Sequence, residues 1–336
     1  IEEYVKPIVT GQRAWCQLFS EPAAGSDLAG LQCKAEQDGE EWIVNGQKVW
    51  TSGGHVADLG MLIARTDSDV PKHQGITYFA IDMHQKGMDV RPLKEMTGRA
   101  LFNEVFLDNA VARDDAMIGG KNNGWAVANS TLMFERASLG SGGGNTAASS
   151  ATPGTVVGDL EKRAGDFVGR RRQSGNSFGG MVKGLRDLAV ANGAADDPTV
   201  RQDLMRLHTM AEIGRINGLR VKAERMAGRD IPGMPNISKL SMSDMMRLQR
   251  DLGLKIVGPS GMLHAYNQED RAALDEATGN PFLGAITELA MFAQAPPIYG
   301  GTDQVQKNII GERVLGLPKE PNNDRTMSFA ELPKNV

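Results

Sequence analysis

Cysteine is nearly absent from this sequence. Cys16 and Cys33 are the only two in 336 residues, too few for a disulfide framework or a cysteine-rich metal site, and in keeping with a reducing compartment. The five histidines show no H-x-x-x-H spacing, which argues against a zinc hydrolase, and no metal ligand set is expected. Aromatic residues amount to 5%. No apolar run approaches the roughly 20 residues that a bilayer span needs, so a soluble chain is expected. Neither sign of charge dominates: 37 Lys and Arg stand against 41 Asp and Glu for a net charge of -4, which offers no basis for nucleic-acid binding. The chain opens "IEEYVKPIVTGQRAW" without an initiating Met or a signal-like apolar stretch, so a chain lacking an N-terminal part is expected. There is no internal repeat either.

Apolar residues make up 40% and charged residues 23%, the balance of an ordinary globular protein with a sizeable core. The length exceeds the usual single domain, so two domains or one with a large insertion are expected. Residues 31–107 carry short alternating runs, "MLIART", "GITYFAID", "MDVRPL" and "NEVFLD" among them, with turn dipeptides at Asp38-Gly39 and Asn45-Gly46. Such a series predicts an antiparallel sandwich or barrel. After Gly124 the period changes: "GWAVANSTLMFERASLG", 199–227, 241–257 and 281–292 read as helices. The Gly- and Ser-rich stretch between the first two predicts a mobile loop with some helix at about 159–171. Its "GGGNTA" fits a dinucleotide fingerprint in letters alone, since it follows a helix rather than a strand.

Three segments carry candidate chemistry. In "PIYGGTDQVQKNIIGERVLG", Gly300, Gly301 and Thr302 precede a helix predicted from Asp303. Backbone N–H groups there suit a phosphate or a row of ligand oxygens; equally, Thr302 is an N-cap and the glycines shape a turn. "LFSEPAAGSD" offers backbone donors at Gly25 and Ser26 and hydroxyls at Ser20 and Ser26. "NGQKVWTSGG" brings Trp50, Thr51 and Ser52 to a strand end, an indole beside two hydroxyls that suits a flat heterocycle.

In this order the segments resemble the acyl-CoA dehydrogenase family, which carries an S/T-E-P-x-A-G-S-D loop, an N-G-x-K-x-W-x-[ST]-x-G segment and a late G-T-x-x-[IV]-Q-x-x-I-x-x-E-R turn. The resemblance covers about residues 1–318 and weakens over about 140–192. It implies an α+β multidomain fold: a remnant of an N-terminal helical domain in 1–13, a middle β domain in 14–117, a C-terminal helical bundle in 118–320 with an irregular insertion at about 140–192, and a tail, 321–336. It implies FAD as cofactor, with Leu18, Ser20, Gly25, Ser26, Trp50, Ser52, Gly301, Thr302 and Gln304 as its contacts. Ser26 would also border the acyl-CoA channel.

The resemblance further implies α,β-dehydrogenation of an acyl-CoA thioester in lipid breakdown, with electrons passed to an electron-transfer flavoprotein. It implies a homodimer, homotetramer or heterotetramer, in a bacterial cytoplasm or a mitochondrial matrix. The base that removes the α-proton stands in many members directly before the G-T turn, where this chain has Gly300. A second arrangement, similar to isovaleryl- and long-chain-type enzymes, places it before an arginine on a bundle helix, here Glu135 before Arg136. Ala128, Leu132, Glu135 and Leu139 advance by helical steps along a mostly apolar stripe, so burial would raise the carboxyl pKa. Taken without the family, Glu135 reads first as buried against a basic partner or as lying at an exposed edge of the stripe. The Gly300 N–H would polarise the thioester carbonyl, and Arg136 would orient the base or shape the pocket. Arg172, Phe178-Gly179 and Lys255 stand near positions where the family meets a neighbouring subunit's FAD. The missing carboxylate at Gly300 also admits an oxygen-using oxidase or monooxygenase, or a non-catalytic subunit of a heteromeric enzyme.

Overall fold

Alternating side chains dictate the first half of the fold. In the computed structural model, which describes residues 2–140, 178–280 and 282–333, a short helix α1 (Val5–Val9) is followed by β1 (Trp15–Leu18), β2 (Lys34–Asp38), β3 (Glu41–Lys48), β4 (Leu59–Arg65), β5 (Ile76–Asp82), β6 (Met88–Leu93), β7 (Phe102–Arg113) and β8 (Met117–Ile118). They form one eight-stranded sheet in the order β6-β7-β3-β2-β4-β5-β8, with β1 added to β4. Central β4 is buried on both faces. Leu62 and Ala64 point into a cluster with Trp42, Val44, Phe79 and Val105, while Ile63 points the other way, toward Phe19, Leu31, Ile76 and Tyr78.

The sheet is mixed rather than purely antiparallel, since β1 and β2 both run parallel to β4. Residues 19–33 join β1 to β2, which meet the same side of β4 one after the other, and this connection contains the Ser20 to Asp27 loop and a 3-10 turn, Leu28–Gly30. Asp38-Gly39 turns the β2–β3 hairpin, with Gly39 at φ 62°. Asn45-Gly46 does not turn: it lies inside β3, where the pairing with β7 slips between Val44 and Gly46. A Cβ on Gly46 would stand 2.7 Å from Cys33 Cα. The glycine serves close strand approach at a bulge, not a hairpin.

Helices take over at α2 (Gly124–Gly140), followed by α3 (Phe178–Ala191), α4 (Pro198–Met226), α5 (Met234–Val257), α6 (Gln268–Thr278), α7 (Leu283–Phe292) and α8 (Asp303–Ile309). Asp197 caps α4 by accepting from the Thr199 N–H, and Pro198 occupies its first turn. The α5 helix starts seven residues ahead of the predicted 241, after Gly233 at φ 75°. The α3 helix lies inside the segment expected to be irregular. Its Leu185, Leu188 and Ala189 enter a core with Leu204 and Leu207 of α4 and Leu252 and Ile256 of α5, a stripe that the surrounding glycines obscure in sequence. The helix predicted at 159–171 lies outside the described residues. Helix α2 joins the two halves: Ala128 is fully buried against the sheet, with Trp125, Val127 and Leu132 beside it, and α2 also packs on α5. Among the described residues, no helix is long and apolar enough to cross a membrane.

Candidate active site

The sheet-side segments are held by a buried ion pair. Lys48, the last residue of β3, is fully buried, and its Nζ donates to Glu21 Oε1 at 2.8 Å and to the Phe19 carbonyl at 3.0 Å. Glu21 also accepts from the Cys33 N–H at 2.9 Å and the Gln32 N–H at 2.7 Å. Its two oxygens are thus satisfied by one cation and two backbone donors, as a desolvated carboxylate requires. The Val49 N–H donates to the Ser20 carbonyl at 2.9 Å. Together these bonds bring "SEPAAGSD" and "VWTS" side by side. Gly25 and Ser26 stay exposed, and a Cβ on Gly25 would meet nothing within 4 Å.

Trp50 leaves this platform in a conformation that L-residues seldom adopt, φ 61°, with 61% of its surface exposed. Its ring meets Phe102 in an edge-to-face arrangement. A strained backbone that presents a large aromatic ring to solvent fits a ligand platform better than a core position. Thr51 and Asn103 bond to each other through both backbone amides, and both are fully buried. Thr51 Oγ1 and Asn103 Oδ1 nevertheless have no partner. Ser52 is exposed. Leu18 is entirely inside the sheet core, so any ligand contact from it must come from its backbone.

On the helix side, Gly300 and Gly301 adopt φ 62° and 81°, and Thr302 caps α8 by accepting from the Val305 N–H at 3.1 Å. The hydroxyl hydrogen of Thr302 remains free to donate. The turn is braced from behind. Gln306, fully buried, donates from Nε2 to the Gly300 carbonyl at 2.9 Å and the Gly301 carbonyl at 3.2 Å, and accepts from Asn236 at 2.6 Å. A Cβ on Gly301 would stand 2.6 Å from that same amide nitrogen. Asp303 receives Lys239 at 3.2 Å and Arg247 at 2.9 Å. Burial pushes the Lys239 pKa down, with Arg247 adding repulsion and Asp303 offsetting in part. Burial opposes ionisation of Asp303, but bonds from Ser243, Arg247 and Lys239 outweigh it and hold its carboxyl below the usual range. Gln304 points outward, exposed.

Glu135 stands on α2, one turn beyond Leu132 on the face that packs on the sheet. The side chain of Leu139, next on the predicted stripe, lies outside the described residues. The carboxyl is half-buried, and Gln17 Nε2 of β1 donates to its Oε2 at 3.3 Å. Burial raises its pKa above the ordinary carboxylate value, and the Gln17 bond and the Arg136 charge oppose that rise without cancelling it. Arg136 is held below its ordinary value by burial and by Arg313, against the pull of Glu135. Arg313 follows α8 in a π-helical turn, Ile310–Val314. The end of α2 therefore meets β1, three residues before Ser20, and the segment that continues the Gly301-Thr302 helix. Among the described residues, no ion pair to Glu135 is present.

Sequence reasoning missed the braces: Glu21, Lys48, Asn236, Lys239, Arg247 and Gln306. Three of them sat inside the quoted motifs, as the acid of S-E-P, the lysine of N-G-Q-K and the second glutamine of G-T-D-Q-V-Q, but nothing local says which partners they meet. Lys255 turns onto the start of α4, where it bonds Thr199 and lies 3.7 Å from Asp203. Arg172 and the Phe178 side chain lie outside the described residues.

Comparison with known proteins agrees with this layout. Residues 16–110 match the family model "Acyl-CoA dehydrogenase, middle domain", and residues 180–315 match "Acyl-CoA dehydrogenase, C-terminal domain". The chain is 35% identical over 308 residues to acyl-CoA dehydrogenase IpdE1 of Mycobacterium tuberculosis, covering 91% of this chain and 67% of that protein. To acyl-CoA dehydrogenase FadE34 of the same organism it is 34% identical over 319 residues, covering 95% of this chain but only 37% of that protein. The crystal structure of the ChsE4-ChsE5 complex from Mycobacterium tuberculosis shares the fold at TM-score 0.73 and 22% identity, over 95% of this chain and 73% of that one.

Proposed function

The chain belongs to the acyl-CoA dehydrogenase family, and on that premise we propose that it serves FAD-dependent α,β-dehydrogenation of an acyl-CoA thioester with Glu135 as the base. The observation that carries this reading is the Glu135 carboxyl: half-buried, raised in pKa by burial, and bonded to a neutral amide rather than to a cation. A base of that kind is poised to take a weakly acidic α-proton once substrate has excluded water.

The residues present fit FAD, the family's cofactor. Trp50 offers an exposed ring, Ser52 an exposed hydroxyl and Gly25 an open backbone. Gly300 and Gly301, both at positive φ, offer a turn with no side chains of its own. Ser20, Gly25, Ser26, Trp50 and Ser52 would hold it from the sheet side, and Gly301, Thr302 and Gln304 from the helix side. When bound, FAD supplies the acceptor for the β-hydride.

The remaining chemistry belongs to the chain. The Gly300 N–H donates to the thioester carbonyl, stabilising the negative charge that develops as the α-proton leaves. Glu135 Oε1 or Oε2 receives that proton. Gln17 holds the carboxyl in place without neutralising it, and Arg136 shapes the pocket wall. Electrons then leave to an electron-transfer flavoprotein. The test is an anaerobic panel of acyl-CoAs mixed with the flavin-loaded protein and followed by flavin absorbance. Bleaching by the parent and none on the same timescale by Glu135→Gln is the expected result; equal bleaching sinks the base assignment.

A second reading rests on Gly300. The residue before the turn cannot be a base, and a solved relative is a complex of two differently named chains. In this reading a second chain completes the site, and activity appears only on adding it.

A further inference from the structure

The chain does not stop at α8. After the π-helical turn, residues 315–323 run exposed across the surface, and the chain then docks on the sheet half. The Phe329 N–H donates to the Val70 carbonyl and the Ala330 N–H to the Ser68 carbonyl, both at 2.9 Å. The Phe329 ring is buried under the Arg65 guanidinium at 3.8 Å. Arg65, itself buried at the end of β4, donates to the carbonyls of Lys72, Ala29 and Leu31. Asp324 bonds Lys72 Nζ at 2.8 Å.

Lys72 is the pivot. Its side chain is 8% exposed, and the same Nζ donates to Asp27 Oδ1 at 2.9 Å and Oδ2 at 3.0 Å. Asp27 closes the loop whose other end, Glu21, is pinned by Lys48. Between the two anchors Gly25 and Ser26 stand exposed. Burial alone would lower the Lys72 pKa, but its two carboxylates outweigh burial and hold it above the ordinary lysine value, so Lys72 keeps its charge at neutral pH.

We propose that this C-terminal strap is a positioning element of the ligand site: Asp324, acting through Lys72 and Asp27, holds residues 25–27 in ligand-binding form. Because the strap starts at the end of α8, it also links that loop to the Gly300-Gly301 turn. The role of residues 25–27 rests on the proposed FAD site; the mechanical link does not. A buried lysine with one carboxylate removed keeps its charge and loses one charge-assisted bond, which frees the loop end without unfolding the sheet.

The test uses the full chain, stripped of flavin. FAD is titrated in by fluorescence quenching, and hydrogen exchange is read by mass spectrometry on the flavin-free protein. For Asp324→Asn the expected result is an FAD Kd raised about tenfold, with faster exchange confined to residues 22–28 and the strap, and recovery toward the parent in Asp324→Glu. Parental affinity with parental exchange at 22–28 overturns the inference. So does exchange that rises uniformly through the sheet, which would make Asp324 a general stabiliser. If the parent takes up no FAD, the site assignment fails, and the exchange comparison still decides the strap on its own.

Discussion

Two fully buried lysines, one in each half of the molecule, brace the two halves of the candidate site by different means. On the sheet side Lys48 meets Glu21, whose other partners are two backbone N–H groups. On the helix side Lys239 meets Asp303, which also holds Arg247. Both pairs stand behind turns poor in side chains, and this is the lesson of the likeness. A loop that must offer its backbone to a ligand cannot be held by its own side chains, so the neighbouring elements hold it. The lesson of the difference is redundancy: Asp303 keeps a cation when its lysine is lost, and Glu21 does not.

The largest expected effect tests the element between the two braces. Glu135→Gln on α2 should slow anaerobic flavin bleaching about 10²- to 10⁴-fold. The same change should raise the melting temperature at neutral pH. The folded pKa of Glu135 lies above its unfolded value, so its contribution to stability is full below the unfolded pKa and is lost as pH rises through the folded one. Above the folded pKa the buried charge is a cost that Gln lacks. A slower and less stable variant would mean that Glu135 is structural.

Lys48→Met comes next, with an expected loss of about 3–5 kcal/mol in urea unfolding, the range for stranding one partner of a buried pair. Lys239→Met should cost less, about 1.5–3 kcal/mol, because Arg247 still pairs with Asp303. Equal losses in the two variants would break the redundancy argument. The smallest effect is on pH. Gln17→Leu removes a bond that lowers the Glu135 pKa, so the acid limb of the kcat/KM profile should move to higher pH. An unmoved limb would show that Gln17 does not touch the working base.

Much of the fold was legible because it is local. The strands of 59–65, 76–82 and 88–93 form where their short runs predict them, and Glu135 lies where a helical period from Ala128 puts it. Thr302 caps α8, as the sequence allowed, and keeps a hydroxyl hydrogen to donate. The α3 helix was hidden because glycines dilute its apolar stripe, and only the core it shares with α4 and α5 reveals it. Lys48 was passed over for a related reason: a lysine at a strand end reads as solvated, and its burial depends on Glu21 arriving from 27 residues earlier.

By itself, the sequence determined the succession of a strand-rich half and a helical half, the glycines of the Gly300-Gly301 turn and the carboxylate on the apolar face of α2, since each follows from neighbours within a few residues. Tertiary structure alone decided that Asn45-Gly46 bulges, because Cys33 presses against it. It also decided that Lys239 meets Asp303 across 64 residues, and that the chain end returns to Lys72. Such contacts have no local period to announce them. They are set by which surfaces exclude water together, and a buried charge must then find its partner wherever the fold has placed it.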